Sequence, residues 1–127
     1  LSDVEEIPVV LLVEDEWLVR MEVADALVEA GWQVVEIGSG EAALAYLRDG
    51  KRIDLLLTDI RLTGPVIGWE VADACRAVHP QLPVVYASAN PKEDRRMVPG
   101  GEFLSKPSRT ETLVATCSRL LRGEAAR

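Results

Sequence analysis

Basic residues are in short supply in this chain: 14 Lys and Arg stand against 21 Asp and Glu, giving a formal net charge of −7 and a pI near 4.7. That balance argues against gripping nucleic acid through phosphate contacts, which requires a basic face. It equally disfavours an anionic membrane surface. No apolar run approaches the ~20 residues that span a bilayer. The N-terminal LSDVEEIP is acidic where a secretory leader is basic, and residues 1–6 read as an acidic tail. Cysteine is scarce too. Cys75 and Cys117 each fall in a helical pattern and read as small buried apolar residues. Nothing in the sequence asks for a disulfide, so a reducing, cytoplasmic setting is expected.

What is present is an ordinary globular composition, 48% apolar and 28% charged over 127 residues, enough for one sizeable core. No repeat, low-complexity block or shift of composition divides the chain, so residues 1–127 are expected to form a single domain. Short β-branched runs alternate with helical patterns. PVVLLV reads as a strand, and EWLVRMEVADALVEAG as a helix with apolar positions at Leu18, Met21, Ala24 (or Val23), Leu27 and Val28, closed by Gly31. WQVVEI is a strand, and Ser39 caps the helix that follows. IDLLLTDI, LPVVYAS and EFLSK supply three more strands, and GWEVADACRAVHP and a last helix capped by Ser108 or Thr110 complete the chain. Most strands are apolar on both faces, as in a parallel sheet covered on both sides. The expected fold is α/β: a doubly wound, five-stranded parallel sheet with helices on both faces.

In such sheets ligands collect beyond the carboxyl ends of the strands. Strand 1 ends in Glu14 and Asp15, strand 3 in Asp59, strand 4 in Ser88 and strand 5 in Lys106. Singly, each has a plain reading as a cap, turn or solvated residue; together they put complementary charges on one rim. Three converging carboxylates repel one another, and a hard divalent cation such as Mg²⁺ relieves this. With Lys106 the charges sum to about zero, which leaves a site poised for a dianionic phosphoryl group. Asp59 is then the candidate nucleophile, since carboxylates form aspartyl phosphates, and the Ser88 hydroxyl can donate to a phosphoryl oxygen.

LLVEDE, LLLTDIRL, VVYASA and FLSKP, in that order, resemble the signature segments of response-regulator receiver domains of two-component signalling. The resemblance implies strand order 2-1-3-4-5 and Mg²⁺-dependent phosphorylation of Asp59 by a partner's phosphohistidine. It implies an acidic metal pair in Glu14 and Asp15, with the Arg61 backbone carbonyl as a further ligand. It also implies a switch hydroxyl at Ser88, a phosphate-binding Lys106, an aromatic at Phe103 that turns inward on activation, and a cis bond before Pro107. The implied partners are a sensor histidine kinase or phosphotransfer protein, an output protein of unknown identity and, as an open option, a second copy of the chain.

The sequence departs from the family pattern at several places. The loop IRLTGPVIGWE is about one residue longer than the common form, and Ile67 replaces the aspartate that usually precedes Gly68. Only fourteen residues separate Ser88 from Phe103, and NPKEDRRMVPGG has little apolar periodicity, so helix 4 is expected to be short or irregular. Phe103 lacks the hydroxyl of the more familiar tyrosine. Trp17 and Arg20, on the first helix near the rim, are candidate kinase-docking residues, with partial burial the plainer reading of Trp17. His79 reads as a helix-end charge, residues 92–96 as a solvated charge run, and Trp32 and Trp69 as packing on the sheet.

Two other functions compete with a phosphoacceptor switch. A pseudo-receiver, the same fold used as a phosphorylation-independent binding module, sits poorly with a complete acid set plus Ser88 and Lys106. A flavodoxin-like nucleotide-binding enzyme predicts a phosphate loop after strand 1, where EDEWLV stands instead. Beginning at Leu1, the chain reads equally as a stand-alone receiver or as the receiver of a hybrid kinase or larger regulator. Its covalent chemistry is expected to be confined to its own phosphorylation and dephosphorylation, so it is not read as an enzyme.

Overall fold

A computed structural model describes residues 6–90 and 96–123. Five strands, β1 (Val9–Val13), β2 (Gln33–Ile37), β3 (Leu55–Asp59), β4 (Val84–Ser88) and β5 (Glu102–Ser105), form one sheet in the order β2-β1-β3-β4-β5. Every pairing is parallel; Val10 lies beside Leu55, Leu56 beside Val84, and Tyr86 beside Phe103. The helices are α1 (Trp17–Glu29), α2 (Gly40–Arg48), α3 (Gly68–Val78) and α4 (Thr110–Leu121). Helix 4 of the family pattern is therefore not α4. Its expected position falls on residues 89–101, of which 91–95 lie outside the described residues, and the described flanks hold no α-helix.

The period-2 alternation of the strands divides two cores. Leu11, Val13, Leu56, Val84 and Tyr86 point to one face, where Ala43 and Leu47 of α2 and Val71, Ala72 and Cys75 of α3 cover them. Val10, Leu12, Leu55, Leu57 and Val85 point to the other, under Ala24 and Leu27 of α1 and Leu113 and Cys117 of α4. Trp69 packs on the first core with its ring 5.0 Å from that of Tyr86, and Trp32 packs on the second. Both cysteines are buried free thiols, pushed up by burial to about 11 at Cys75 and about 12 at Cys117.

Two local expectations change. On α1, Ala24 and Leu27 are buried, but Leu18 (61% exposed), Met21 (44%) and Val28 (57%) face outward. Val23, the alternative to Ala24, packs on the second core instead, while Val19 is half-buried. The last helix is capped by Arg109, not by Ser108 or Thr110, and its N-cap side chain makes no capping bond. Ser39 caps α2 as expected, accepting from Ala42 N at 3.1 Å. Gly31 (φ +103°) turns the chain out of α1 in a conformation that other residues rarely adopt.

Candidate functional site

The β-α alternation brings the carboxyl ends of β1, β3, β4 and β5 to one edge of the sheet, and the predicted residues converge there. One carboxylate oxygen from each of Glu14, Asp15 and Asp59 lies within 4.8 Å of the others. Lys106 joins them from the end of β5: its Nζ donates to Glu14 Oε1 at 2.7 Å and to Asp59 Oδ2 at 3.0 Å. The Lys106–Pro107 peptide bond is cis, and the Lys106 N–H donates to the Ser88 carbonyl at 2.8 Å.

Glu14 is almost fully buried. Its second oxygen accepts from Glu16 N at 3.2 Å, and its backbone carbonyl accepts from Arg20 Nη1 at 2.7 Å. Burial raises the Glu14 pKa above the usual carboxylate value, with the bonds from Lys106 and Glu16 opposing and the Asp59 charge adding to the rise. At Asp15 burial also pushes upward, but the bonds from Thr63 outweigh it and the pKa is lowered. Lys106 is pushed down by burial and lifted further by its bonds to Glu14 and Asp59, so its ammonium form is strengthened. A dense negative cluster held by one cation suits a hard divalent metal, which favours oxygen ligands of this kind.

Ser88 is buried at the end of β4, and its Oγ accepts from Asn90 N at 3.0 Å. Phe103 is half-buried on β5, packed against the core that holds Tyr86. Arg61 lies in the exposed β3–α3 loop, two residues past Asp59. Trp17 is 60% exposed at the start of α1. Arg20 differs from it: besides the Glu14 carbonyl, its guanidinium meets Glu36 Oε1 at 3.5 Å, so it ties α1 to β1 and β2. The rim opens into a largely apolar cleft of about 350 Å³ between α1 and α4, lined by Val19, Val23, Leu57, Leu113 and Pro107 among others.

Two residues of the neighbourhood were not legible as functional in the sequence. Thr63 donates to Asp15 Oδ2 from both its N–H (2.9 Å) and its hydroxyl (2.6 Å). The only signal for it was a polar residue in a loop of unusual length. Tyr86, two residues before Ser88, is fully buried and accepts at its hydroxyl from Val98 N at 3.0 Å, tying β4 to the segment leading into β5.

This sheet order and this arrangement of three acids and a lysine define a receiver. Residues 10–118 match the response regulator receiver domain family, and the chain belongs to it. It is 31% identical over 117 residues to the probable transcriptional regulatory protein TcrX of Mycobacterium tuberculosis, covering 89% of this chain and 49% of that one. It is 32% identical over 120 residues to the sensor kinase CckA of Brucella abortus, covering 88% of this chain but 12% of that one. Among solved structures, a response regulator receiver protein from Sinorhizobium medicae superposes with a TM-score of 0.88 at 34% identity, covering 92% of this chain and 96% of that one. The chain thus spans about half the length of TcrX and a small part of CckA. It is a receiver domain of two-component signalling. No helix among the described residues is long and apolar enough to cross a membrane.

Proposed function

We propose that the chain is a phosphoacceptor switch in which Asp59 takes a phosphoryl group from the phosphohistidine of a sensor kinase or phosphotransfer protein. One Asp59 carboxylate oxygen forms the new P–O bond as the donor's P–N bond breaks, and that bond's electron pair leaves with the imidazole. Mg²⁺, held by Glu14, Asp15, Asp59 and the Arg61 carbonyl, supplies positive charge at the transferring oxygens when bound. Lys106 binds one phosphoryl oxygen and Ser88 Oγ–H donates to another, which draws the β4 end toward Asp59. Phe103, on the neighbouring strand, follows that movement, and the change in packing is what an output protein reads. The observation that carries this reading is the gathering of three carboxylate oxygens within 4.8 Å, with Lys106 on two of the acids.

Trp17, Leu18 and Met21 form an exposed apolar surface beside the rim, which supports docking of the kinase on α1. Arg20 serves that surface by holding α1 in place. The acidic surface and the buried free thiols support a cytoplasmic domain that does not itself bind nucleic acid. Nothing in the site favours the pseudo-receiver, because no member of the acid–lysine–hydroxyl set is missing.

The test is incubation with acetyl phosphate, with and without Mg²⁺, followed by intact mass. A single Mg²⁺-dependent phosphoryl adduct is expected in the wild type and none in Asp59→Asn. A folded wild type that gains no adduct under any metal condition would overturn the proposal.

A further inference from the structure

The β3–α3 loop, where the sequence departs from the family's common form, is pinned along its length. A Cβ on Gly68 would lie 2.3 Å from the Asp59 carbonyl oxygen, and Gly68 N donates to Ile60 O at 2.9 Å. Val66 presses its carbonyl against Gly40 of α2, where a Cβ would come within 2.2 Å. Gly64 (φ +99°) sits against the Glu41 carboxylate, with Oε2 3.0 Å from where a Cβ would stand. Ile67 N donates to Glu70 Oε1 at 2.9 Å. Backbone fixed at both ends therefore delivers Thr63 to Asp15; the contact does not depend on a long side chain finding its partner.

We infer that Thr63 is a positioning residue that orients the Asp15 carboxylate for the divalent metal. The inference rests on the reading of the acidic cluster as a metal site. A carboxylate on a short side chain turns freely about its last bond. Two donors on one oxygen, 2.9 and 2.6 Å away, fix both its plane and its direction. The conformer that accepts from Thr63 is the same one in which oxygens of Glu14, Asp15 and Asp59 lie within 4.8 Å. Both Thr63 bonds end on Oδ2, which leaves Oδ1 as the Asp15 oxygen a metal can take with those bonds in place, so Thr63 supports the site. Outer hydrogen bonds of this kind typically change metal affinity by about 10–100-fold. Thr63 is exposed, and its backbone N–H survives any side-chain substitution, which places the expected effect at the low end.

The test is Mg²⁺ titration of the unphosphorylated chain by calorimetry, with thermal unfolding followed in parallel. Thr63→Val and Thr63→Ala are expected to weaken Mg²⁺ about tenfold, while Thr63→Ser, which keeps the hydroxyl, stays within about twofold of the wild type. Because the side chain is at the surface, all three variants fold. Mg²⁺ binding by Thr63→Val as tight as the wild type, or tighter, would overturn the inference and leave the metal site standing. A wild type that binds no Mg²⁺ would overturn the metal reading, and the inference with it.

Discussion

Lys106→Met removes the only cation that bridges Glu14 and Asp59 among the described residues, and its cost can be worked from the site. The Glu14 and Asp59 side chains are 5% and 10% exposed, whereas Lys106 is 25% exposed. Two contacts of 2.7 and 3.0 Å are lost, and two carboxylates are left facing one another. Removing one partner of a buried pair typically costs ~3–5 kcal/mol. Water reaches this site through the exposed quarter of Lys106, so the expected loss is about 2–3 kcal/mol. Urea unfolding in EDTA, followed by far-UV circular dichroism, measures it. Repeating the titration in saturating Mg²⁺ provides the sharper comparison, because a ligand that binds only the folded state adds stability and this one restores the missing positive charge. The deficit is then expected to shrink to less than about 1 kcal/mol. A deficit below about 0.5 kcal/mol in EDTA, or one that Mg²⁺ leaves unchanged, refutes the idea that Lys106 holds the acids together in place of a metal.

Three further perturbations probe separate links. Burial raises the Glu14 pKa, so its contribution to stability is fully present below the unfolded value near 4.5 and is lost as pH rises through the folded value. In metal-free urea titrations, the wild type should therefore lose ground to Glu14→Gln as pH rises above about 4.5; a flat difference, or one of opposite slope, contradicts that sign. Tyr86→Phe strands the Val98 N–H and is expected to cost about 1–2 kcal/mol, with faster hydrogen exchange at Val98; unchanged stability and exchange would show that water replaces the hydroxyl. Trp17→Ala should leave stability within about 0.5 kcal/mol and acetyl-phosphate labelling unchanged while slowing transfer from the kinase. Slowing of both reactions alike would place Trp17 in the chemistry, and slowing of neither would remove it from docking.

The site was legible because of a contrast that the fold enforces. Central parallel strands are apolar throughout, so Asp59 after LLLT and Glu14–Asp15 after VVLLV stand out as residues aimed at a common edge. Strand order followed from the family resemblance, and the division into two cores followed from alternation along the strands. Thr63 was not legible, since its partner Asp15 is 48 residues away and the contact depends on a loop path that no periodicity encodes. The outward turn of Leu18, Met21 and Val28 escaped notice for a different reason. On a helix as apolar as α1 two stripes satisfy the same period, and only packing against β2, β1 and α4 chooses between them. Arg20 reads in the sequence only as a docking candidate beside Trp17, yet its length lets it reach back to the Glu14 carbonyl.

The central claim is that Asp59 itself carries the phosphoryl group, and locating the adduct tests it most directly. Borohydride converts an aspartyl phosphate to homoserine, so labelled protein can be reduced, digested and read by tandem mass spectrometry. Homoserine at position 59 and nowhere else is the predicted result. An unmodified Asp59, with the label on Glu14, Asp15 or Ser88, would contradict the account.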